Sequence, residues 1–172
     1  MNNVILIGMP SSGKSTLGVL LAKMLGYDFL DTDLLIQWRT GKKLQQILDE
    51  DGREAFLAAE EEALLSVRAR RTVIATGGSA VYSAAGMAHL KKEGKTVYLK
   101  LPFRLIRRRL SNLSTRGVVL APGQTLEMLF RERCALYEKY ADLVFEESAD
   151  GKEHPLPENA ARLVSLLAEQ QE

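Results

Sequence analysis

Gly8-Met9-Pro10-Ser11-Ser12-Gly13-Lys14-Ser15 follows the order G-x-x-x-x-G-K-[ST], and each residue type in it meets a need of gripping a polyphosphate. Glycines let the backbone curl so that successive N–H groups point at phosphate oxygens, the lysine reaches the outer phosphates, and the serine hydroxyl can ligate magnesium. At average residue usage such a match arises by chance in roughly one chain of this length in a hundred. Its context is the required one: apolar Val4–Ile7 reads as a strand before it, and Leu17, Leu20, Leu21 and Met24/Leu25 recur at helical spacing after it. We therefore expect Pro10, Ser11, Ser12, Gly13, Lys14, Ser15 and Thr16 to bind a nucleotide, with the helix N-terminus adding favourable dipole charge.

Two acids, Asp31 and Asp33, close a second apolar run. Asp31 suits magnesium through its water shell, since this ion takes few carboxylates directly. Asp33 suits the orientation of an acceptor hydroxyl and removal of its proton. Either acid would equally serve as the cap of a helix beginning near Leu34. Gly77-Gly78-Ser79 follows a third apolar run; paired glycines there allow close approach to a small molecule, and a plain turn explains them as well. Arg133 falls on the same helical stripe as Leu126, Leu129, Phe130, Tyr137 and Ala141, so its guanidinium needs an anionic or polar partner, either a ligand or an internal acid. Arg104, Arg107, Arg108 and Arg109 cluster before a stretch of turn formers containing Arg116. Arg109 is a candidate nucleotide contact, and Arg116 a candidate for swinging over the transferred group as an arginine finger in cis does. His89 and His154 have no second histidine or cysteine at metal spacing, which argues against zinc. Cys134, Trp38 and the methionines read as core or shell.

These groups need a frame, and the pattern supplies one. Short apolar runs at Val4–Ile7, Asp28–Asp31, Thr72–Ala75, Thr96–Leu99 and Leu143–Phe145 alternate with helical periodicity, the signature of an α/β domain on a parallel sheet. Each candidate acid or glycine pair then lies at the C-terminal edge of a strand, where open parallel sheets bind ligands. Residues 111–124 lose periodicity in turn formers and read as a lid. A closing helix with Ala160, Leu163, Val164 and Leu167 should pack on the sheet's flank. The 172 residues, 46% apolar and 26% charged, are the size of one domain spanning 1–172. A net charge of +1 offers no field for nucleic acid or an anionic membrane. No run of eighteen apolar residues and a lone cysteine point to a soluble, cytoplasmic protein. We expect a monomer. No Asn-Lys-x-Asp segment is present, so a guanine-specific GTPase is set aside.

Together, the phosphate loop, Asp31-Thr32-Asp33, Gly52-Arg53-Glu54-Ala55-Phe56 with Glu60, Gly77-Gly78, Arg116 and Arg133-x-x-x-Tyr137-x-x-x-Ala141-Asp142 resemble the shikimate kinase family from about Val4 to Phe145. The resemblance implies a P-loop, nucleoside-monophosphate-kinase-like fold with a five-stranded parallel sheet, flanking helices and a lid. It also implies transfer of a phosphoryl group from ATP, with Mg2+, to a hydroxyl of a small cyclic acid in aromatic amino acid biosynthesis. Lys14, Asp33 and Arg116 would be catalytic, Ser15 and Asp31 would hold the metal, and the helices of about 33–70 would bind the acceptor. Three positions depart from the family's pattern: Leu57 where it has a carboxylate-binding arginine, Ser79 for the third glycine, and Gly117-Val118-Val119 for proline-leucine-leucine. One charge-assisted hydrogen bond contributes about 1.5–3 kcal/mol, so the missing arginine implies roughly a 10- to 150-fold loss. Arg133 remains as a carboxylate partner, and Arg53, one helical turn before Leu57, can partly substitute. The acceptor pocket is thus expected to involve Asp33, Arg53, Leu57, Gly77, Gly78, Ser79 and Arg133. Two alternatives stay open: a kinase of the same fold for another polyol or sugar acid, and a nucleotide-binding regulatory module without transfer activity.

Overall fold

The frame begins with β1, Asn3–Ile7, where five buried residues alternate between two apolar faces. Val4 and Leu6 turn to one layer, Ile5 and Ile7 to the other, as a strand covered by helices on both sides requires. The structure is a computed structural model describing residues 3–111, 118, 120–148 and 152–169. Four more strands, β2 (Asp28–Asp31), β3 (Thr72–Ala75), β4 (Gly94–Lys100) and β5 (Leu143–Glu146), complete a sheet of order β2-β3-β1-β4-β5. Every neighbouring pair is parallel. The fourth strand begins two residues before the expected Thr96 because Gly94 pairs with Asn3. A β-carbon at Gly94 would stand 2.7 Å from Asn3 O, so this approach needs the bare backbone.

On one face, α1 (Lys14–Leu25) and α8 (Leu156–Glu169) pack together through Leu17, Leu21, Ala160, Leu163 and Leu167 over Val73, Val97 and Leu99. The expected placement of the closing helix is therefore met. On the other face lie α5 (Ala84–Lys91), α6 (Phe103–Ser111) and α7 (Leu126–Tyr140), whose Met87, Leu90, Ile106, Leu129 and Tyr137 join Ile5, Ile74 and Tyr98. Between β2 and β3 the chain builds an arm of α2 (Thr32–Thr40), α3 (Leu44–Glu50) and α4 (Gly52–Ser66), held by its own cluster of Ile36, Ile47, Phe56 and Ala63. Its separate core fixes the arm beside the ligand edge.

Trp38 corrects an expectation. It was expected in the core or its shell, but it is 80% exposed. On α2 the buried positions are Thr32 and Ile36, and a residue two places beyond Ile36 is turned about 200° around the helix, onto the opposite face. Met128 is exposed for the same reason of phase, and Met24 is exposed in the last turn of α1, while Met9 and Met87 are in the core. Among the described residues, no helix is long and apolar enough to cross a membrane. Arg116, Gly117 and, in all, half of the segment expected to form a lid lie outside the described residues.

Candidate functional site

Three adjacent strands deliver their C-terminal ends to one cleft of about 710 Å³, lined by Pro10, Ser11, Gly13–Thr16, Asp33, Phe56 and Thr76–Ser79 among others. From β1 comes the phosphate loop. Gly13 has φ +89° as the N-cap of α1 and Ser11 has φ +63°, left-handed conformations that curl the chain and cost a non-glycine residue strain. Lys14 Nζ donates to Gly8 O at 2.8 Å, Met9 O at 2.7 Å and Ser12 Oγ at 3.3 Å, so the ammonium is held inside the curl. Burial, with the Arg133 charge as a smaller contributor, brings its pKa down to about 8 against the pull of Asp33, Asp31 and Glu60.

From β2 come the two acids. Asp31 caps α2, its Oδ1 accepting from Asp33 N at 2.9 Å, and its Oδ2 accepts from Ser15 Oγ at 2.6 Å. The cap and the metal ligand, alternatives in the sequence, are compatible because one carboxylate has two oxygens. Asp33 is not a cap. Its side chain faces Gly77, where an added β-carbon would stand 2.8 Å from Oδ1. Burial and the neighbouring Asp31 charge push its pKa up to about 6, with Lys14 opposing. Such a carboxylate is ionised at neutral pH yet basic enough to take a proton from an alcohol in flight.

From β3 comes Thr76-Gly77-Gly78-Ser79, pinned by side chains whose part was not evident in the sequence. Thr32, fully buried between the two acids, accepts from Gly77 N at 3.1 Å. Tyr137 Oη donates to Gly78 O at 2.6 Å. Ser79 Oγ donates to Glu60 Oε2 at 2.5 Å, while Glu60 Oε1 is buried without a hydrogen-bond partner among the described residues. Burial raises the Glu60 pKa to about 7, the Ser79 bond opposing and the Asp33 charge adding to it. Contact favours the bare backbone at Gly78, where a β-carbon would stand 2.7 Å from Pro10 Cδ and 3.0 Å from Arg133 Nη1.

At Gly77 an added methyl would overlap Glu60 Oε1 as well as crowd Asp33. Both obstacles are side-chain carboxylates and not backbone, so Gly77→Ala should fold, with a lowered melting temperature because Glu60 is buried and bonded to Ser79. The displaced tips should lower turnover with the acceptor by about 10²-fold, the cost of a misplaced reacting group. Steady-state kinetics beside a thermal melt checks this; full activity would show that neither carboxylate position matters.

Of the basic residues, Arg109 reaches the loop, its Nη1 donating to Ser11 O at 3.2 Å, and pairs with Glu153 at 3.3 Å and Glu147 at 3.8 Å. Arg133 is wholly buried beside Gly78, its Nε 3.4 Å from Tyr82 Oη. Arg53 lies near the same phenol ring. Leu57 packs against the apolar cluster of the arm, where burial stabilises an aliphatic side chain; like Arg53 and Arg133, it is outside the residues that line the cleft. Among the described residues, no group of three or more His, Cys, Asp or Glu could cage a metal. The Ser15–Asp31 oxygen pair beside a phosphate loop instead suits a hard ion that completes its shell with phosphate and water, as magnesium does.

Comparison with known proteins places this geometry. A family model described as shikimate kinase matches residues 10–166. A shikimate kinase of Thermobifida fusca is 39% identical over 163 residues, 94% of this chain and 91% of the relative. One of Chlorobium chlorochromatii is 39% identical over 142 residues, 82% of this chain and 73% of the relative. The fold matches a shikimate kinase from Acinetobacter baumannii in complex with shikimate at a TM-score of 0.84 and 30% identity, covering 99% of this chain and 94% of that one. A sugar kinase from Janibacter sp. shares the fold alone, with a TM-score of 0.59 at 15% identity, covering 98% of this chain and 95% of that one.

Proposed function

The chain belongs to the shikimate kinase family, and from that premise we propose how its own residues carry out the ATP-dependent phosphorylation of shikimate, a step of aromatic amino acid biosynthesis. The observation that carries the assignment of roles is the convergence of Lys14, Asp33 and the Gly77–Gly78 backbone on one cleft. The loop amides and the α1 N-terminus hold the phosphates, and Lys14 offsets charge on the transferred group. Asp33 orients the acceptor hydroxyl and takes its proton as the oxygen attacks. Ser15 Oγ and Asp31 Oδ2 would hold magnesium, which supplies charge neutralisation at the phosphates when bound. Thr32 and Tyr137 keep the glycine backbone close to the acceptor. Arg109 steadies the loop from the nucleotide side, and Arg116 is our candidate for covering the transferred group.

Our reading is of a monomer in which one domain, 1–172, carries an acceptor arm at about 33–70 and a lid at about 111–124. Cys134, a free thiol 3.2 Å from Tyr98 Oη, is compatible with a reducing, cytoplasmic setting.

ADP release measured against shikimate, sugars, sugar acids and cyclitols tests the acceptor. Shikimate should give the highest kcat/KM. A sugar acid or cyclitol turned over faster would move the protein to another acceptor, and ADP release indifferent to every acceptor would make it a nucleotide-binding module.

A further inference from the structure

Arg53 takes no part in the roles above, yet its surroundings are those of a group awaiting an anion. It stands in the first turn of α4, its guanidinium carbon 5.8 Å from the centroid of Tyr82, and that of Arg133 is 5.3 Å from the same ring. Two cations thus share one aromatic ring. The ring attracts the Arg53 guanidinium without neutralising its charge. Among the described residues no carboxylate pairs with Arg53, and its Nε is buried without a hydrogen-bond partner. Buried donors are nearly always satisfied, so an orphan beside a cleft marks a place where a ligand atom belongs. The cleft is adjacent, because Arg133 Nη1 would lie 3.0 Å from a β-carbon on Gly78. Tyr82 is itself oriented at its other end, where its hydroxyl donates to Glu132 Oε1 at 2.5 Å.

A planar anion with two oxygens matches the fork of a guanidinium better than a point charge does. We propose that Arg53 is a specificity-determining residue, which together with Arg133, its neighbour at the Tyr82 ring, holds the carboxylate of the acceptor. Leu57, one turn further along α4, is committed to the apolar cluster of the arm and supplies nothing there. The proposal rests on the reading of the cleft as the site of a small hydroxylated acid. It adds that this chain selects acids through a guanidinium on the first turn of α4.

The test compares shikimate with its neutral methyl ester as acceptors for the wild type, Arg53→Ala and the longer, uncharged Arg53→Gln. Loss of a charge-assisted pair should lower kcat/KM for shikimate by about 10- to 150-fold, chiefly through KM. The ester should change little, so that the preference for the acid collapses while KM for ATP holds. Arg53→Lys should retain an intermediate preference, keeping the charge and losing the fork. Equal losses on acid and ester in both uncharged variants would make Arg53 a structural residue, and an unchanged preference would remove it from the site; either overturns the proposal. A wild type without shikimate-dependent ADP release would overturn the acceptor reading itself, and this proposal with it.

Discussion

Replacing Asp33 with asparagine should lower kcat by about 10²- to 10⁴-fold, the usual contribution of a positioned general base, with KM for ATP nearly unchanged. Asparagine has the same shape and can still accept a hydrogen bond, so the acceptor should bind. It cannot take a proton from the acceptor hydroxyl. The pH profile gives the substitution a second readout. In wild-type kcat/KM, activity should rise as the Asp33 carboxyl ionises at about pH 6 and fall as Lys14 loses its proton at about pH 8. The sign follows from the roles: the acid must be charged to act as base, and the ammonium must be charged to hold phosphate. Glu60, with its pKa raised to about 7, lies against the same glycine and is the other group able to produce an acidic limb. Asp33→Asn should abolish that limb, whereas Glu60→Gln should leave it near pH 6. An Asp33→Asn enzyme with wild-type turnover would remove Asp33 from the chemistry.

Lys14→Met should lower kcat/KM for ATP by about 10²- to 10³-fold, as loss of a preorganised charge at the transferred group does. Methionine approximates the length of the lysine stem, so the loop can keep its curl. The wild-type ammonium lies between Gly8 O and Met9 O, already aimed at the centre of the loop. A phosphate oxygen entering there meets a cation whose desolvation has been met during folding, and that preorganisation gives the lysine its leverage. Calorimetric titration with magnesium and ATP, beside steady-state rates, checks the prediction. An unchanged rate would show that the loop amides and helix dipole suffice.

Much of the frame was legible because local chemistry dictates it. Short apolar runs that end in glycines or acids and alternate with helical periodicity fit the strands of a parallel sheet, and the phosphate loop carries its function in its own spacing. The ligand edge then followed from strand direction alone. What stayed hidden depends on distance in the chain. Tyr82 becomes the shared support of Arg53 and Arg133 only when residues some thirty and fifty places apart are folded together, and no periodicity announces this. Thr32 carries no signal between two more conspicuous acids, although its hydroxyl fixes Gly77. Asp31 was framed as either a cap or a metal ligand, when its two oxygens serve different partners. Trp38 was misplaced because hydrophobic character was weighed without the phase of its helix.

The central claim is that this cleft hands a phosphoryl group to an alcohol. Phosphorus NMR of the enzyme with magnesium and ATP, recorded with and without shikimate, tests it most directly. With shikimate, the γ-phosphate signal should give way to ADP and a new phosphate monoester, and without it the ATP should persist. Inorganic phosphate appearing at the same rate in both samples, with no monoester, would contradict the account.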